Sequence, residues 1–383
     1  MIVLADGYVH LRYLRGRVSA KVILLWWLPG ALMVLYTAFL ALQKDFAPSD
    51  NGLLDIYLFF LGLIVVAKLV FVICSAMGWG ISCLVHRLLR RSGPRRNYGN
   101  AVGVVMVLLI WYVLFYGSFM GFDKLTVRQV EYASEELPEA FDGYRIVHFS
   151  DAHVGTYGME RQYLLRRNID SIMAQRPDMI VFTGDLQNMQ PSEVTPHEAL
   201  LASLNAPDGV FSVLGNHDYA EYVKADEATK EANCRAMVDG QRRMGWTLLL
   251  NENCTVRRGA DSIVVAGMEN DGDGKKFPQK GDIAKTLQGV GDSAFVVMLE
   301  HDPSSWRRKI LPQSTAQLTL SGHTHAMQFV LWGWSPASLV YSEWGGVFTE
   351  GSRSINVSTG LGGFIPFRFG VPGEIVVITL KKK

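Results

Sequence analysis

Histidine, aspartate and asparagine recur in five short segments of the second half of the chain, each directly after a run rich in Val, Ile and Leu. The segments read Asp151-Ala152-His153, Gly184-Asp185, Gly215-Asn216-His217-Asp218, His301 and Gly322-His323-Thr324-His325. Carboxylate, amide and imidazole groups are N/O ligands that suit divalent transition metals. The chain has no CxxC pair, so a cysteine zinc site is disfavoured.

Seven of these side chains are potential metal ligands: Asp151, His153, Asp185, Asn216, His301, His323 and His325. That number exceeds the needs of one ion and suits two divalent cations about 3.5–4 Å apart that share one carboxylate. Taken singly, each segment is also explained by an Asp or Asn in a turn, or by a satisfied core histidine. The five segments together favour a dinuclear metal centre.

Alternating strands and helices are predicted to position these groups. From Tyr144 onward, Val/Ile-rich runs bounded by Gly and Asp alternate with helical stretches near 160–175, 196–204 and 226–244. This pattern is typical of the buried strands of an α/β fold. In open α/β sheets, ligands bind beyond the carboxyl ends of the strands, where all five segments are predicted to lie.

The order Asp-x-His, Gly-Asp, Gly-Asn-His-Asp, His, Gly-His-x-His resembles that of the calcineurin-like metallophosphoesterases, over about residues 144–380. The resemblance implies a two-sheet α/β sandwich flanked by helices, with a catalytic domain over 144–383. It implies that Asp185 bridges two ions and that His217 is the acid, its ring oriented by Asp218. It assigns the remaining ligands to two sets, Asp151, His153 and His325 for one ion and Asn216, His301 and His323 for the other.

Two positions depart from the family pattern. Asn188 stands where many members have a second Asp, which is not always a ligand. Ala326-Met327-Gln328 stands where many relatives have Gly-Gly-Gln, so substrate specificity is expected to differ there. The segment 358–380 resembles a bacterial branch that includes membrane-anchored and secreted phosphoesterases and some UDP-2,3-diacylglucosamine pyrophosphatases.

The first third of the chain accounts for its high hydrophobic fraction of 49%. Three apolar runs, near 22–42, 53–75 and 101–120, are each close to the ~20 residues that cross a bilayer as a helix. They lack an amphipathic stripe, which disfavours three buried core helices. We therefore predict an all-α transmembrane segment of about three helices over 1–120, a linker over 121–143, and no cleaved signal peptide.

Basic residues predict the orientation of this segment. The N-terminal stretch has Arg12, Arg15, Arg17 and Lys21, the second connection has five arginines between 87 and 96, and the first connection has only Lys44. The positive-inside rule then places the N-terminus and the second connection in the cytoplasm. We predict a multi-pass protein of the inner (plasma) membrane with an extracytoplasmic catalytic domain.

Net charge limits the classes of binding partner that we expect, and cysteine content limits the possible disulfides. Residues 1–120 have a net charge of +7 and the remainder −6, and an acidic globular half disfavours nucleic-acid binding. Cys234 and Cys254 allow a disulfide only in an oxidising compartment. The expected partners are the lipid bilayer and a phosphorylated small-molecule or lipid-linked substrate; the sequence does not define an oligomeric state.

The predicted function is hydrolysis of a phosphodiester, pyrophosphate or phosphomonoester in a lipid-linked or envelope substrate, with two divalent ions (Mn, Fe or Zn) and attack by a hydroxide that bridges them. One alternative is a UDP-2,3-diacylglucosamine pyrophosphatase-like enzyme of lipid A synthesis. Another is a membrane sensor that binds a phosphate ligand without turnover. Trp332, Trp334 and Trp344 are expected either at a lipid interface or in the core.

Overall fold

A computed structural model describes residues 2–43, 52–90, 92–274 and 277–383. The chain divides into two compact units between Phe119 and Met120. The predicted first connection, with Lys44, and Arg91 of the second connection lie outside the described residues.

The first unit is all α-helical. Its described helices are α1 (Ile2–Val9), α2 (Ala20–Leu42), α3 (Gly52–Phe60), α4 (Ala67–Leu88) and α5 (Gly99–Tyr116). π-helical segments extend α1 (His10–Leu14), join α3 to α4 (Leu61–Val66) and extend α5 (Gly117–Gly121). Among the described residues, three continuous stretches are long and apolar enough to cross a membrane: Ala20–Leu42, Gly52–Leu88 and Gly99–Gly121. They confirm the predicted three-helix segment.

Helix α1 was missed by the sequence prediction, which placed no helix before residue 22. The carboxylate of Asp6 on α1 is buried and lies 2.6 Å from Nζ of Lys68 on α4. The hydroxyl of Tyr13 lies 2.6 Å from Ser75 Oγ and donates to Asn100 Oδ1. Lys68 therefore faces a neighbouring helix, and polar pairs fix the N-terminal segment in this unit.

The second unit contains two six-stranded mixed sheets. The first sheet has the order β1-β12-β2-β3-β4-β5 and the second has the order β10-β11-β9-β8-β7-β6. The strands are β1 (Leu125–Ser134), β2 (Arg145–Phe149), β3 (Met179–Phe182), β4 (Val210–Ser212), β5 (Thr247–Leu248), β6 (Glu252–Arg258), β7 (Asp261–Gly267), β8 (Val296–Leu299), β9 (Leu318–Ser321), β10 (Gly346–Glu350), β11 (Arg353–Val357) and β12 (Gly373–Lys382).

Apolar side chains of both sheets form the central core, which includes Ile146 and Val181 of the first sheet and Val265 and Leu320 of the second. A second cluster covers the outer face of the first sheet, and a third, with Trp306, covers that of the second. The flanking helices are α6 (Gln162–Ala174), α7 (Glu198–Leu201), α8 (Glu227–Arg243), α9 (Ile283–Thr286) and α10 (Leu311–Gln313). The predicted two-sheet sandwich flanked by helices is confirmed.

The predicted linker over 121–143 is wrong over residues 125–134. Residues Leu125–Ser134 form β1, which pairs in parallel with β12 from Leu125↔Gly373 to Ser134↔Lys382. The strand lies at the edge of its sheet and eight of its ten residues are half-buried or exposed, so its composition lacks a strong hydrophobic signal.

All four cysteines are free. Cys234 on α8 packs against the outer cluster of the first sheet, whereas Cys254 on β6 packs against the central core. The pairing of Cys234 with Cys254, which the sequence left open, is not formed.

Candidate metal centre

The predicted site residues follow the carboxyl ends of five strands. Strand β2 ends before Asp151 and His153, β3 before Asp185, and β4 before Asn216, while β8 and β9 end before His301 and the His323–His325 turn. Strands β2, β3 and β4 run parallel in one sheet, and β8 and β9 run parallel in the other. The two sheets thus deliver polar side chains to one place, as expected for a site beyond the ends of parallel strands.

One group of donors consists of Asp151, His153, Asp185 and His325, whose ligand atoms lie within 4.8 Å of one another. The two imidazole Nε2 atoms of His153 and His325 are 3.2 Å apart. His325 Nε2 also lies 3.1 Å from Asp151 Oδ1, and His153 Nε2 lies 3.6 Å from Asp185 Oδ2. These atoms converge in the manner of ligands around one cation.

A second group consists of Asp185, His301 and His323, with Asn216 beside them. His301 Nε2 lies 3.2 Å from Asp185 Oδ2 and 3.1 Å from Asn216 Oδ1. Nδ1 of His323 lies 2.8 Å from the same amide oxygen. The amide nitrogen of Asn216 donates to Tyr222 at 2.8 Å, which turns the oxygen toward the two imidazoles. Asp185 belongs to both groups.

The backbone at these positions supports a functional rather than an incidental cluster. Five of the seven predicted ligands adopt positive φ: Asp151 (52°), His153 (43°), Asp185 (60°), His323 (73°) and His325 (49°). Left-handed backbone is uncommon for non-glycine residues, although Asp and His tolerate it better than most. Such local strain concentrates at functional sites, where the surrounding structure maintains it.

Two glycines allow the turns to approach closely. A Cβ on Gly215 would lie 2.2 Å from Asp185 Oδ1, and one on Gly322 would lie 2.1 Å from Asp151 Oδ2. Any larger residue would displace a predicted ligand, so the glycines of Gly-Asn-His-Asp and Gly-His-x-His are sterically required.

The electrostatics of the pocket favour positive charge at its centre. Burial opposes ionisation of Asp185, but His301 and its neighbouring histidines outweigh it and hold the Asp185 pKa well below its usual value. Burial likewise lowers the pKa of His301, yet Asp185 and Asp151 raise it to about 10. Two buried carboxylates surrounded by imidazoles that can be neutral fit a divalent cation site. The cation would compensate the negative charge of carboxylates that water does not reach.

The ring of His217 is held by a backbone group. Its Nδ1 lies 2.6 Å from the carbonyl oxygen of Asn188, and its ring centroid lies 4.8 Å from that of His153. The backbone N–H of His217 donates to Asp185 Oδ1 at 2.8 Å. His217 therefore both touches the shared carboxylate and presents its other ring nitrogen beside the donor groups.

The predicted role of Asp218 is corrected by this geometry. The carboxylate of Asp218 accepts hydrogen bonds from the backbone N–H groups of Asp185 (2.8 Å), Leu186 (2.9 Å) and Gly215 (3.0 Å), not from the His217 ring. Burial, followed by the charge of Asp185, raises the pKa of Asp218 to about 7. Asp218 joins the loop after β3 to the loop after β4 and acts on the site through that backbone.

Tyr341 and Asp302 support His323 from outside the donor groups. The Tyr341 hydroxyl lies 2.9 Å from His323 Nε2, and Asp302 Oδ2 lies 3.5 Å from the same atom. With Nδ1 as a metal ligand, the Nε2–H of His323 would donate to these oxygens. Asp302 directly follows His301 in the sequence, but Tyr341 carries no sequence signal for this contact.

Glu193 fixes the loop that holds His217. Its buried carboxylate accepts hydrogen bonds from the backbone N–H groups of Asn188 (2.6 Å), Met189 (3.0 Å) and Gln190 (3.3 Å). Burial outweighs these bonds and raises the pKa of Glu193 to about 7. The Gln190–Glu193 spacing, which forms a capping box, was the available sequence signal.

Arg368 orders the loop on the other side of the site. Its guanidinium is fully buried and donates to the carbonyl oxygens of Thr359 (2.8 Å), Gly360 (2.8 Å) and Gly362 (2.9 Å). Burial lowers the pKa of Arg368 to about 10, so it stays charged near neutral pH. A Cβ on Gly360 would lie 2.9 Å from Asp151 Cβ and 3.0 Å from His325 Nδ1, which shows that this loop borders the first donor group.

The two-sheet sandwich and its donor set define a metal-dependent phosphoesterase, and the comparisons with known proteins agree. The family model described as calcineurin-like phosphoesterase matches residues 144–327. A model described as the transmembrane domain of a probable calcineurin-like phosphoesterase matches residues 1–122. The chain belongs to the calcineurin-like metallophosphoesterases, a metal-dependent family of hydrolases, and is membrane-associated.

Three relatives illustrate the range of the family. The chain is 34% identical to the uncharacterized metallophosphoesterase YkuE of Bacillus subtilis, over 65% of this chain and 82% of the relative. It is 28% identical to a transmembrane protein with metallophosphoesterase domain of Danio rerio, over 82% and 72% respectively. It is 28% identical to the UDP-2,3-diacylglucosamine pyrophosphatase LpxG of Chlamydia trachomatis, over 63% and 86%.

Proposed function

We propose that this chain is a membrane-anchored phosphoesterase that uses two divalent cations to hydrolyse a phosphodiester, pyrophosphate or phosphomonoester bond in a lipid-linked or envelope substrate. The observation that carries the proposal is the membership of Asp185 in both donor groups. One group is completed by Asp151, His153 and His325, and the other by Asn216, His301 and His323. A shared carboxylate is the expected feature of a two-metal hydrolytic site.

The chain's own residues then have distinct roles. Cations of the Mn, Fe or Zn type, held by the seven donors, would supply an activated water at neutral pH and charge neutralisation for the phosphoryl group. The backbone N–H of His217 donates to Oδ1 of Asp185, so Oδ2 of the same carboxylate faces the imidazoles. With Nδ1 bound to the Asn188 carbonyl, His217 offers Nε2 to protonate the departing oxygen.

Hydrolysis of bis-p-nitrophenyl phosphate by the purified full-length chain with Mn²⁺ tests this function. We expect turnover that EDTA abolishes and that Mn²⁺ restores. Absence of turnover with this diester, with a monoester and with a pyrophosphate, in protein shown to bind Mn²⁺, would instead favour a sensor that binds a phosphate ligand without reaction.

A second candidate, a UDP-2,3-diacylglucosamine pyrophosphatase-like activity, is favoured by the similarity to LpxG over 86% of that protein. Comparison of kcat/KM for UDP-2,3-diacylglucosamine and for the nitrophenyl diester distinguishes the two. A preference of several orders of magnitude for the nucleotide-linked lipid would select this candidate, and equal values would reject it.

We further propose a multi-pass protein of the inner membrane with its catalytic unit on the extracytoplasmic side. Arginines cluster between α4 and α5, which favours a cytoplasmic position for that connection, and α5 with its π extension is long enough to cross once before residue 122. The helical segment over 2–14 is shorter than the ~20 residues of a membrane span, and it precedes this connection. This helical segment therefore does not change the extracytoplasmic side proposed for the catalytic unit.

A topology reporter fused after Lys383 tests the orientation in cells. Periplasmic alkaline phosphatase activity is the expected result. Fluorescence of a cytoplasm-dependent reporter at the same position would reverse the assignment and strengthen the nucleotide-lipid candidate.

A further inference from the structure

A loop of unusual composition follows the last donor, His325. Residues 327–347, here the apolar loop, expose large apolar side chains to solvent: Met327, Leu331, Trp332, Trp334, Leu339, Val340 and Val347. In the rest of the described catalytic unit, only Met120, Met159 and Tyr163 are exposed large hydrophobic residues. Such concentration of apolar surface in a soluble-type fold marks an interaction site.

Trp332 lies at the tip of this loop and is not a core residue. Its exposed fraction is 96%, and that of Trp334 is 49%. Leu331 and Trp334 exchange two backbone hydrogen bonds of 2.9 and 3.0 Å across a two-residue turn. Both central residues, Trp332 (φ 51°) and Gly333 (φ 79°), have left-handed backbone, as in a type I′ turn. A bulky aromatic residue rarely occupies this conformation. The left-handed backbone and the exposed indole of Trp332 are therefore both energetically unfavourable.

The apolar loop is tied to the metal centre at several points. The Tyr341 hydroxyl contacts His323 Nε2 at 2.9 Å, and Ser335 Oγ donates to the Ala326 carbonyl at 2.6 Å. On its other side, the Val330 N–H donates to the Phe369 carbonyl at 2.8 Å. The exposed side chains are therefore held in a preformed arrangement that continues directly from the donors.

The chemistry of the loop selects an apolar occupant. Residues 327–347 contain no Lys or Arg, and their one carboxylate, Glu343, is buried and paired with Arg307 at 2.6 Å. Aromatic rings continue the apolar surface toward the site: Phe277 lies 5.0 Å from the His323 ring and Phe364 lies 5.5 Å from the His217 ring. A nucleic acid or a phosphopeptide would find no complementary charge there.

We propose that the apolar loop binds the hydrocarbon chain of an amphiphilic phosphoester whose phosphoryl group lies at the metal centre. This inference rests on the proposed phosphoesterase function and narrows its substrate class to amphiphiles. The same chain carries helices long and apolar enough to cross a membrane, so such molecules are available to it. Binding of the hydrocarbon chain to the apolar loop then determines substrate specificity. The metal-ligating residues serve the hydrolysis of the phosphoester.

Chain-length dependence tests the inference. The full-length protein in lipid nanodiscs is assayed with methyl, butyl and octyl p-nitrophenyl phosphodiesters below their micelle concentrations. Each methylene that leaves water contributes up to about fourfold in kcat/KM. We expect the octyl-to-methyl ratio to exceed about 10² in the natural chain and to fall at least tenfold in Trp332→Asn and in Leu339→Ser. Trp332→Asn creates an Asn-Gly pair, which type I′ turns prefer, so folding is preserved.

Tyr163→Ser is the matched control, because Tyr163 is exposed (61%) but lies on α6, outside the apolar loop. It should leave both the rate and the ratio unchanged. Ester partition into the nanodisc affects all variants alike and cancels in the comparison. An octyl-to-methyl ratio that is the same in Trp332→Asn, Leu339→Ser and the natural chain would overturn the inference.

Failure of the proposed function is recognised separately. If no ester is hydrolysed, binding of octylphosphonate and methylphosphonate by calorimetry still measures the chain-length preference and its loss in the two variants. The oligomeric state is measured alongside by light scattering. A dimer that Trp332→Asn dissociates, with no chain-length preference, would assign the loop to a second copy and reject the hydrocarbon chain as its occupant.

Discussion

The backbone carbonyl of Asn188 lies 2.6 Å from Nδ1 of His217, so the orientation of this imidazole depends on the fold of a loop rather than on a carboxylate side chain. The loop is fixed in turn by Glu193, which binds three of its backbone N–H groups. A carbonyl acceptor fixes the tautomer and the direction of the ring without adding a further negative charge.

His217→Asn should retain metal and lose rate. The substitution removes the proposed general acid but keeps all seven predicted metal ligands, so we expect kcat to fall about 10²–10⁴-fold. Metal content by plasma mass spectrometry, measured beside kcat, checks this. Asn188→Ala is the control: it keeps the backbone carbonyl and should cost far less. Equal rates in His217→Asn and the natural chain would remove His217 as the acid.

Asp185→Ala should lose both cations together, because Asp185 is shared by the two donor groups. Activity should fall to background, and metal analysis should give close to no bound ion per chain. Asp178→Ala, which alters a carboxylate paired with Arg258 away from the donors, should keep normal metal content. Retention of full metal content in Asp185→Ala would contradict the shared role.

Tyr341→Phe should weaken one cation site while leaving the other intact. The hydroxyl that contacts His323 Nε2 is lost, and supporting contacts of this kind are worth about 10–100-fold in metal affinity. Titration of metal-free protein with Mn²⁺, followed by electron paramagnetic resonance, should resolve one weakened and one unchanged affinity. Tyr163→Phe provides the matched control. Two unchanged affinities would show that Tyr341 does not position His323.

His148 should make the fold sensitive to acid. Burial, assisted by Arg128, lowers the pKa of His148 to about 3, and the ring lies between Thr183 Oγ1 and the Asn356 amide at 2.9 and 3.1 Å. Below about pH 6.5 the unfolded chain takes up a proton that the folded chain refuses. The contribution of His148 to the free energy of unfolding is therefore fully present above that pH. It is lost as the pH falls toward 3, by up to about 1.4 kcal/mol per pH unit.

His148→Gln removes this titration and keeps a hydrogen-bonding side chain. Thermal unfolding of metal-free natural and variant proteins should give a Tm difference that shifts steadily in favour of the variant as pH falls from 7 to 4. The predicted metal ligands titrate in both proteins, so their contribution cancels in the Tm difference. A Tm difference independent of pH would show that the folded chain protonates His148 as readily as the unfolded chain does.

The seven donors were predictable from the sequence because each has a ligand-type side chain directly after a hydrophobic strand. Their partners were not. Asn188 acts through its backbone, which side-chain identity does not reveal. Tyr341 and Arg368 depend on loops that only the tertiary fold brings to the site. The error on Asp218 has the same origin, since its carboxylate binds backbone amides of two separate loops.

Errors in the fold prediction also have physical causes. Helix α1 has only eight residues, too few for a membrane-spanning run, and the Asp6–Lys68 pair joins it to α4. Strand β1 is an edge strand whose partner, β12, is distant in sequence. In both cases long-range pairing outweighs local composition, as is common for half-buried strands.

The pairing of β1 with β12 has a consequence for synthesis of the protein. Leu125 emerges from the ribosome long before its neighbour Gly373, so the edge of the first sheet stays without a partner until residues 373–382 are made. Those residues also contribute Ile375 and Val377 to one apolar cluster and Val376 and Ile378 to another. A nascent chain that stalls before this point keeps an open strand edge, a substrate for chaperones and proteases, so stop codons that remove residues 373–382 should lower cellular abundance as severely as earlier ones.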